Sequence, residues 1–195
     1  TTKTYAINFT RSPIAPGDVL PDFDPNVNGP VHTTVVQPDG KILLGGQFTE
    51  VGGMVRHRMA RLAADGAIDT GFNPDASLDV FSIAVQPDGK ILIGGDFLEV
   101  GGERHERIAR LNADGTLDPS FSASIDYTVY DLVVEPDGRI LVGGVFSIVN
   151  GVTRHRIARL NSDGSLDPDF NPNPDSFVTT IVPRRDGRIL IGGNF

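Results

Sequence analysis

The sequence predicts an all-β fold in which one small antiparallel sheet recurs about an axis, and three observations predict it. The first is a string, PDG-[KR]-I-L-x-G-G-x-F, at Pro38–Phe48, Pro87–Phe97 and Pro136–Phe146, with a fourth copy at Arg185–Phe195 that lacks only its proline. The copies recur every 49 residues without slippage, and a fixed period of this length marks a repeat architecture. The second is punctuation: Asp-Gly, Gly-Gly and Asn-Gly pairs fall at fixed places in the period, where tight turns need them. The third is that the segments between those turns are short and β-rich, which leaves no room for a helix of ordinary length.

The elements follow in order in the second repeat. Val80–Val85 reads as strand a and Lys90–Phe97 as strand b. Between them Gln86-Pro87-Asp88-Gly89 suits a type I turn whose glycine takes positive φ, closing a tight hairpin. Val100-Gly101-Gly102-Glu103, like Val149-Asn150-Gly151-Val152 in the third repeat, predicts a two-residue hairpin leading into strand c, Arg107–Leu111. A second Asp-Gly turn, Asn112–Gly115, leads into strand d, Thr116–Phe121, whose Pro119 suits a sheet edge. Strands a and b are apolar on both sides, so each sheet needs a neighbour above and below. Radial stacking of four-stranded antiparallel blades, a β-propeller of about four blades, meets that need.

The ends bear on closure. Phe23, Phe72, Phe121 and Phe170 recur at the period, so Gly17–Phe23 reads as a strand d without its own a and b. Val178–Phe195 reads as an a–b hairpin without c and d. The last blade is therefore expected to be composite, with Tyr5–Phe9 supplying strand c, although Phe9 stands where the other repeats have Arg58, Arg107 and Arg156. Residues 1–195 then form a single repeat domain. Self-closure makes a monomer; an eight-bladed ring of two chains, or a piece of a longer array, stays open as an alternative.

Composition bounds the function. The chain has 195 residues, 39% of them apolar, enough for a substantial core, and a formal charge of −8. Nucleic acid and anionic membranes attract basic surfaces, so neither is an expected partner. No apolar run approaches the roughly 18 residues of a membrane span. With no cysteine there is no disulfide and no thiolate metal site.

The pattern V-Q-P-D-G-K-I-L-[IL]-G-G-x-F, followed by G-x-x-R-x-x-[IM]-A-R-L-x-x-D-G-x-[LI]-D-x-x-F-x-P, resembles the bacterial delta-sixty repeat over residues 17–195. Residues 1–16 depart from it, and Leu20 replaces the Asp found at Asp69, Asp118 and Asp167. The resemblance implies a propeller-type fold in a large exported or surface protein, hence a secreted or cell-surface setting. It implies no enzyme activity, and no catalytic residue is carried over.

Most repeated residues read as scaffold. Asp39, Asp88, Asp137 and Asp186 form a series, but each turn offers one carboxylate, whereas a calcium loop needs several oxygens close together. Asp capping its own turn accounts for them. Counting out from the Asp-Gly turn sets Arg61, Arg110 and Arg159 across from Asp69, Asp118 and Asp167 as cross-strand pairs. The paired glycines Gly45-Gly46 and their repeats lie inside strand b, where they serve close packing or a bend, not a phosphate loop. His57, His105 and His155 sit beside arginines on separate hairpins, which disfavours a metal site. No metal and no cofactor is expected.

Function is expected on the face formed by the d–a segments, which differ most between repeats and stand on a rigid scaffold. The candidate ligand or partner residues there are Asp75, Asp79, Phe81, Asp126, Tyr127, Tyr130, Asp175 and Phe177, with His32 near the same face. Aromatic and carboxylate groups together suit a carbohydrate or a protein surface. The expected role is thus a non-catalytic interaction or adhesion module. The alternatives are a structural spacer, and a glycoside hydrolase or lyase using two carboxylates roughly 5–9.5 Å apart.

Overall fold

The computed structural model describes residues 24–195. The predicted strands at Tyr5–Phe9 and Gly17–Phe23 lie outside the described residues, and the composite last blade with them. No helix occurs among the described residues.

The first unit comprises β1 (Val31–Val36), β2 (Ile42–Gly46), β3 (Glu50–Val51), β4 (Met54–Val55) and β5 (Met59–Leu62). The second comprises β6 (Val80–Val85), β7 (Ile91–Gly95), β8 (Glu99–Val100), β9 (Glu103–Arg104) and β10 (Ile108–Leu111). The third comprises β11 (Val129–Val134), β12 (Ile140–Gly144), β13 (Ile148–Val149), β14 (Val152–Thr153) and β15 (Ile157–Leu160); β16 (Val178–Pro183) and β17 (Ile189–Gly193) form a final hairpin. In each full unit the first, second and fifth strands make one antiparallel sheet, with the second in the middle, and the third and fourth make a separate hairpin. The middle strand is buried throughout in the second and third units, as its unbroken apolar run predicts.

Two expectations need correction. The Gly-Gly and Asn-Gly turns do close hairpins, but these join the two-residue strands of a separate small sheet inserted between b and c. They do not join b to c directly. Strand d is also shorter than expected, because only one residue of each predicted strand bridges the sheet: Ile68 to Leu62, Leu117 to Leu111 and Leu166 to Leu160. The blades are therefore three-stranded plus one bridging residue. The cause is the next residue. Asp118 accepts the Ser120 amide at 3.0 Å and Pro119 has no N–H, so the chain curls and Phe121 turns into the core.

The Asp-Gly turns form as expected. Asp39, Asp88, Asp137 and Asp186 each accept the amide two residues on, at 3.1 Å in every case. The glycine that follows each one takes φ of 80–87°, a region that costs other residues strain.

The sheets pack face to face, and the first glycine of strand b sets the distance. A Cβ on Gly45 would lie 2.8 Å from Val80 Cγ1 of the next unit; on Gly94, 2.6 Å from Val129 Cγ1; on Gly143, 2.8 Å from Val178 Cγ1. Each joint holds its own core, for example Leu43, Met59, Phe72, Val80, Ile83 and Phe97 between the first two units. Hydrogen bonds tie the innermost strands across two joints. Ser82 Oγ accepts the Leu132 amide at 3.0 Å, and Asp131 Oδ2 accepts the Ile181 amide at 2.7 Å.

The expected Arg–Asp pairs are present: Arg61–Asp69 at 3.0 Å, Arg110–Asp118 at 2.7 Å and Arg159–Asp167 at 2.7 Å. They do more than set register. Each guanidinium also lies over the phenylalanine that ends its unit, 4.3–4.8 Å from the ring centroids of Phe72, Phe121 and Phe170. Arg61 and Arg110 donate in addition to carbonyls on the next unit, those of Ala113 and Ser162. The basic residue of the PDG-[KR] string completes the cluster, with Lys41 on Asp69 at 3.2 Å, Lys90 on Asp118 at 2.6 Å and Arg139 on Asp167 at 3.5 Å. Burial alone would raise the Asp118 carboxyl; hydrogen bonds from Lys90, Ser120 and Arg110 outweigh it and hold the group well below the ordinary carboxylate range.

Candidate functional site

The second glycine of strand b builds the site. A Cβ on Gly46, Gly95, Gly144 or Gly193 would collide with the carbonyl of Pro30, Asp79, Thr128 or Phe177, which enters strand a at that point. Only glycine admits so close an approach. The approach shifts the register, since pairing passes from Val80–Gly95 to Ser82–Gly94, and likewise in the other sheets. The skipped residue is a bulge, a device that re-aims a side chain. The bulge residues are His32, Phe81, Tyr130 and Thr179.

The first three bulge residues form a row of rings. His32 and Phe81 have centroids 4.9 Å apart, and Phe81 and Tyr130 meet edge to face at 5.6 Å. Charged pairs stand beside the row. Arg58 Nε lies 3.3 Å from Asp79 Oδ1, and His32 Nε2 lies 4.0 Å from Asp79 Oδ2. In the next unit Asp96 takes Arg107 Nη1 at 2.9 Å and the Thr128 hydroxyl at 2.7 Å. Arg107 also stands 5.9 Å over the ring of Tyr127, which is 60% exposed.

Arg58, Arg107 and Arg156 hold φ of 62°, 66° and 60°, left-handed values that a bulky side chain rarely adopts and that cost on the order of 1–3 kcal/mol. The backbone requires them. The Arg58 amide donates to the Phe48 carbonyl at 2.9 Å and its own carbonyl accepts the Gly46 amide at 2.9 Å, with equivalent bonds at Arg107 and Arg156.

The structure divides the predicted residues. It brings Phe81, Tyr130 and Asp79 together with His32, and it places Tyr127 beside Arg107. Asp126 serves the scaffold instead, with its Oδ1 accepting the Ser147 and Ile148 amides at 2.9 Å each. Asn28 and Ser77 accept the equivalent amides, so these three residue types perform one capping job. Asp175 occupies the same register and is exposed. Asp75 adopts φ of 57° and pairs with His57 at 2.6 Å, in a depression of about 280 Å³ lined by Thr49, His57, Arg58, Asp75, Ala76 and Ser77. Phe177, immediately before the last hairpin, is 40% exposed.

Sequence reasoning missed Arg58, Arg107, Asp96 and Thr128. A signal existed for Asp96: it fills the variable x of G-G-x-F, where the other units have Gln47, Val145 and Asn194. A wider hollow, about 600 Å³, lies at the opposite end of strand a, between the Asp-Gly turns, and is lined by Val35, Val36, Pro38, Val85 and Pro87 among others. Its lining is mainly the repeated turn residues, which already have scaffold roles. Among the described residues, no three His, Asp or Glu side chains are grouped to hold a metal ion.

Comparison with known proteins places these observations. A family described as "Domain of unknown function (DUF5122) beta-propeller" matches residues 37–72, 86–121 and 135–170. The matched segments run from the first Asp-Gly turn to the phenylalanine that ends each unit. They leave out 73–85 and 122–134, which carry Asp79, Phe81, Tyr127 and Tyr130. No curated protein matches the chain. Among solved structures, one titled "Streptogramin B lyase structure" shares 20% identity and superposes with a TM-score of 0.52. That alignment covers 83% of this chain and 47% of the other, so this chain spans about half the length of that one. At this identity the likeness is one of fold.

Proposed function

The chain belongs to the β-propeller family described as a domain of unknown function (DUF5122), and we propose that it is a non-catalytic interaction module that binds carbohydrate on the d–a face. The observation that carries this reading is the row His32–Phe81–Tyr130, set on successive sheets by the same bulge. Aromatic faces stack on the apolar faces of sugar rings, and paired charges such as Arg58–Asp79 offer hydrogen bonds without a net field. A protein surface is the second reading, favoured by the exposure of Tyr127 and Phe177. The narrower kinship with the delta-sixty repeat, and the exported or surface setting it implies, belong to this proposal.

An enzyme reading has less support. The carboxylates beside the aromatic row, Asp79 and Asp96, are each held by an arginine, an arrangement that suits charge pairing in the scaffold.

A glycan array with the wild-type chain, Phe81→Ala and Tyr130→Ala tests the proposal. Retention of defined glycans by the wild type and their loss in both variants, at unchanged far-UV circular dichroism, is the expected result. Equal retention by all three proteins rejects the aromatic row as the binding surface. Turnover of a polysaccharide, lost on changing one Asp, would favour the enzyme reading instead.

A further inference from the structure

Three arginines hold one place in the repeat, and two of them are neutralised. Arg58, Arg107 and Arg156 share a left-handed backbone that fixes where each side chain starts. In the first unit the carboxylate comes from the d–a segment. Asp79 Oδ1 lies 3.3 Å from Arg58 Nε, and Asp79 Oδ2 lies 4.0 Å from His32 Nε2. In the second unit Thr128 holds the register of Asp79, and the carboxylate comes from the residue after β7 instead, with Asp96 Oδ1 at 2.9 Å from Arg107 Nη1. In the third unit Phe177 and Val145 hold those two registers, and neither carries charge. Among the described residues the Arg156 side chain has no carboxylate within ion-pair distance and donates no hydrogen bond, and its Nε is covered without an acceptor. The residue is nevertheless partly exposed, within reach of a ligand. A half-buried guanidinium without a counter-ion is unfavourable, and a bound carboxylate offsets that cost.

We propose that Arg156 takes its carboxylate from the ligand, so that the sugar bound on the d–a face is an acidic one, a uronic acid or another carboxylated residue. The inference rests on the carbohydrate reading and narrows it. Asp79 shows the arrangement from within the chain, because its carboxylate stands between Arg58 and the bulge ring His32. The repeat sets Arg156 and the bulge ring Tyr130 in the same two registers of the third unit. There the chain supplies no carboxylate among the described residues, and Phe177, 40% exposed, adds an apolar surface. A sugar stacked on Tyr130 can thus turn a ring carboxylate toward Arg156. Arginine meets a carboxylate with two parallel N–H groups, which favours the acid over a neutral hydroxyl or ester. The formal charge of −8 repels anions at long range, but physiological salt screens that field beyond about 8 Å, where local pairing decides.

A glycan array in physiological salt, printed with carboxylated oligosaccharides such as oligogalacturonate, the methyl ester of each, and neutral and sulfated glycans, tests it. Acid and ester differ in the charge of the ring carboxylate and share the same sugar. The wild type should retain an acid at least about tenfold more tightly than its ester. Arg156→Gln should abolish that difference at an unchanged far-UV spectrum. Val145→Asp should abolish it too, with the arginine still present, by supplying a carboxylate from the register of Asp96. Arg185→Gln removes the same charge from the exposed Asp-Gly turn at the other end of strand a and should keep the difference. Equal retention of acid and ester by the wild type, a difference that Arg156→Gln leaves intact, or a preference for sulfated glycans overturns this inference and leaves the carbohydrate reading standing. Retention of no glycan of any charge overturns both.

Discussion

The joints and the d–a face are built on the same backbone and answer to different demands. At the joints each unit repeats the same residues for the same contacts: a glycine against a valine, an arginine against an aspartate and a phenylalanine. On the d–a face the backbone also repeats, bulge by bulge, but the side chain it presents changes from His32 to Phe81 to Tyr130 to Thr179. Constancy follows burial, because a buried group has few substitutes that satisfy it. Variety follows exposure, because the bulge fixes only where the side chain points.

Variants should therefore separate the two regions, and the largest effect is expected at a joint. Asp118→Ala leaves the buried Arg110 without its carboxylate, and stability should fall by about 3–5 kcal/mol, read as a lower urea midpoint. A loss no larger than at an exposed site would break the distinction. Next comes Gly94→Ala, whose methyl would lie 2.6 Å from Val129 and 2.9 Å from Leu132. Overpacking should cost about 1–3 kcal/mol in the same assay, whereas Gly102→Ala, with open space around it, should show only the strain of its positive φ.

A third variant tests the joint through pH. Burial raises the Asp131 carboxyl above the ordinary range, despite the amide hydrogen bond from Ile181 and others that act to lower it. The folded chain thus holds this proton to higher pH than the unfolded chain. Its contribution is complete below the ordinary value near about 4 and is lost as pH rises through the raised value. Asp131→Asn should remove that decline, so that urea midpoints at acid and neutral pH differ less than in the wild type. An unchanged difference would reject the assignment. The smallest stability effect is expected on the d–a face, where Tyr127→Ala should stay within about 0.5 kcal/mol of the wild type.

Much of the joint region was legible in the residues. The period located every unit, the Asp-Gly turns form where expected, and counting from them paired Arg110 with Asp118. The two further contacts of Arg110 were not legible, because they reach the Phe121 ring and the Ser162 carbonyl of the next sheet, which a count along one hairpin never meets. Strand d was read too long because the tendency of Asp118 to cap its own turn, set beside Pro119, ends pairing after one bridge.

On the d–a face the same comparison of repeats misled at one place. Asn28, Ser77 and Asp126 differ in type, so their position looked free to vary. All three present an acceptor oxygen to the same two amides. Residue identity hid a shared chemistry. The aromatic row was legible only as nearby residues, because the bulge that aligns it follows from the carbonyl approach at Gly95 and not from any side-chain pattern.

Amide hydrogen exchange at Leu132 and Ile181 tests most directly whether the units form one body around the innermost strands. These amides donate across joints, to Ser82 Oγ and to Asp131. They should be among the slowest to exchange, opening only with global unfolding and so accelerating steeply with added urea. Exchange as fast as at the exposed hairpin turns, and indifferent to urea, would mean that the sheets do not stack as described.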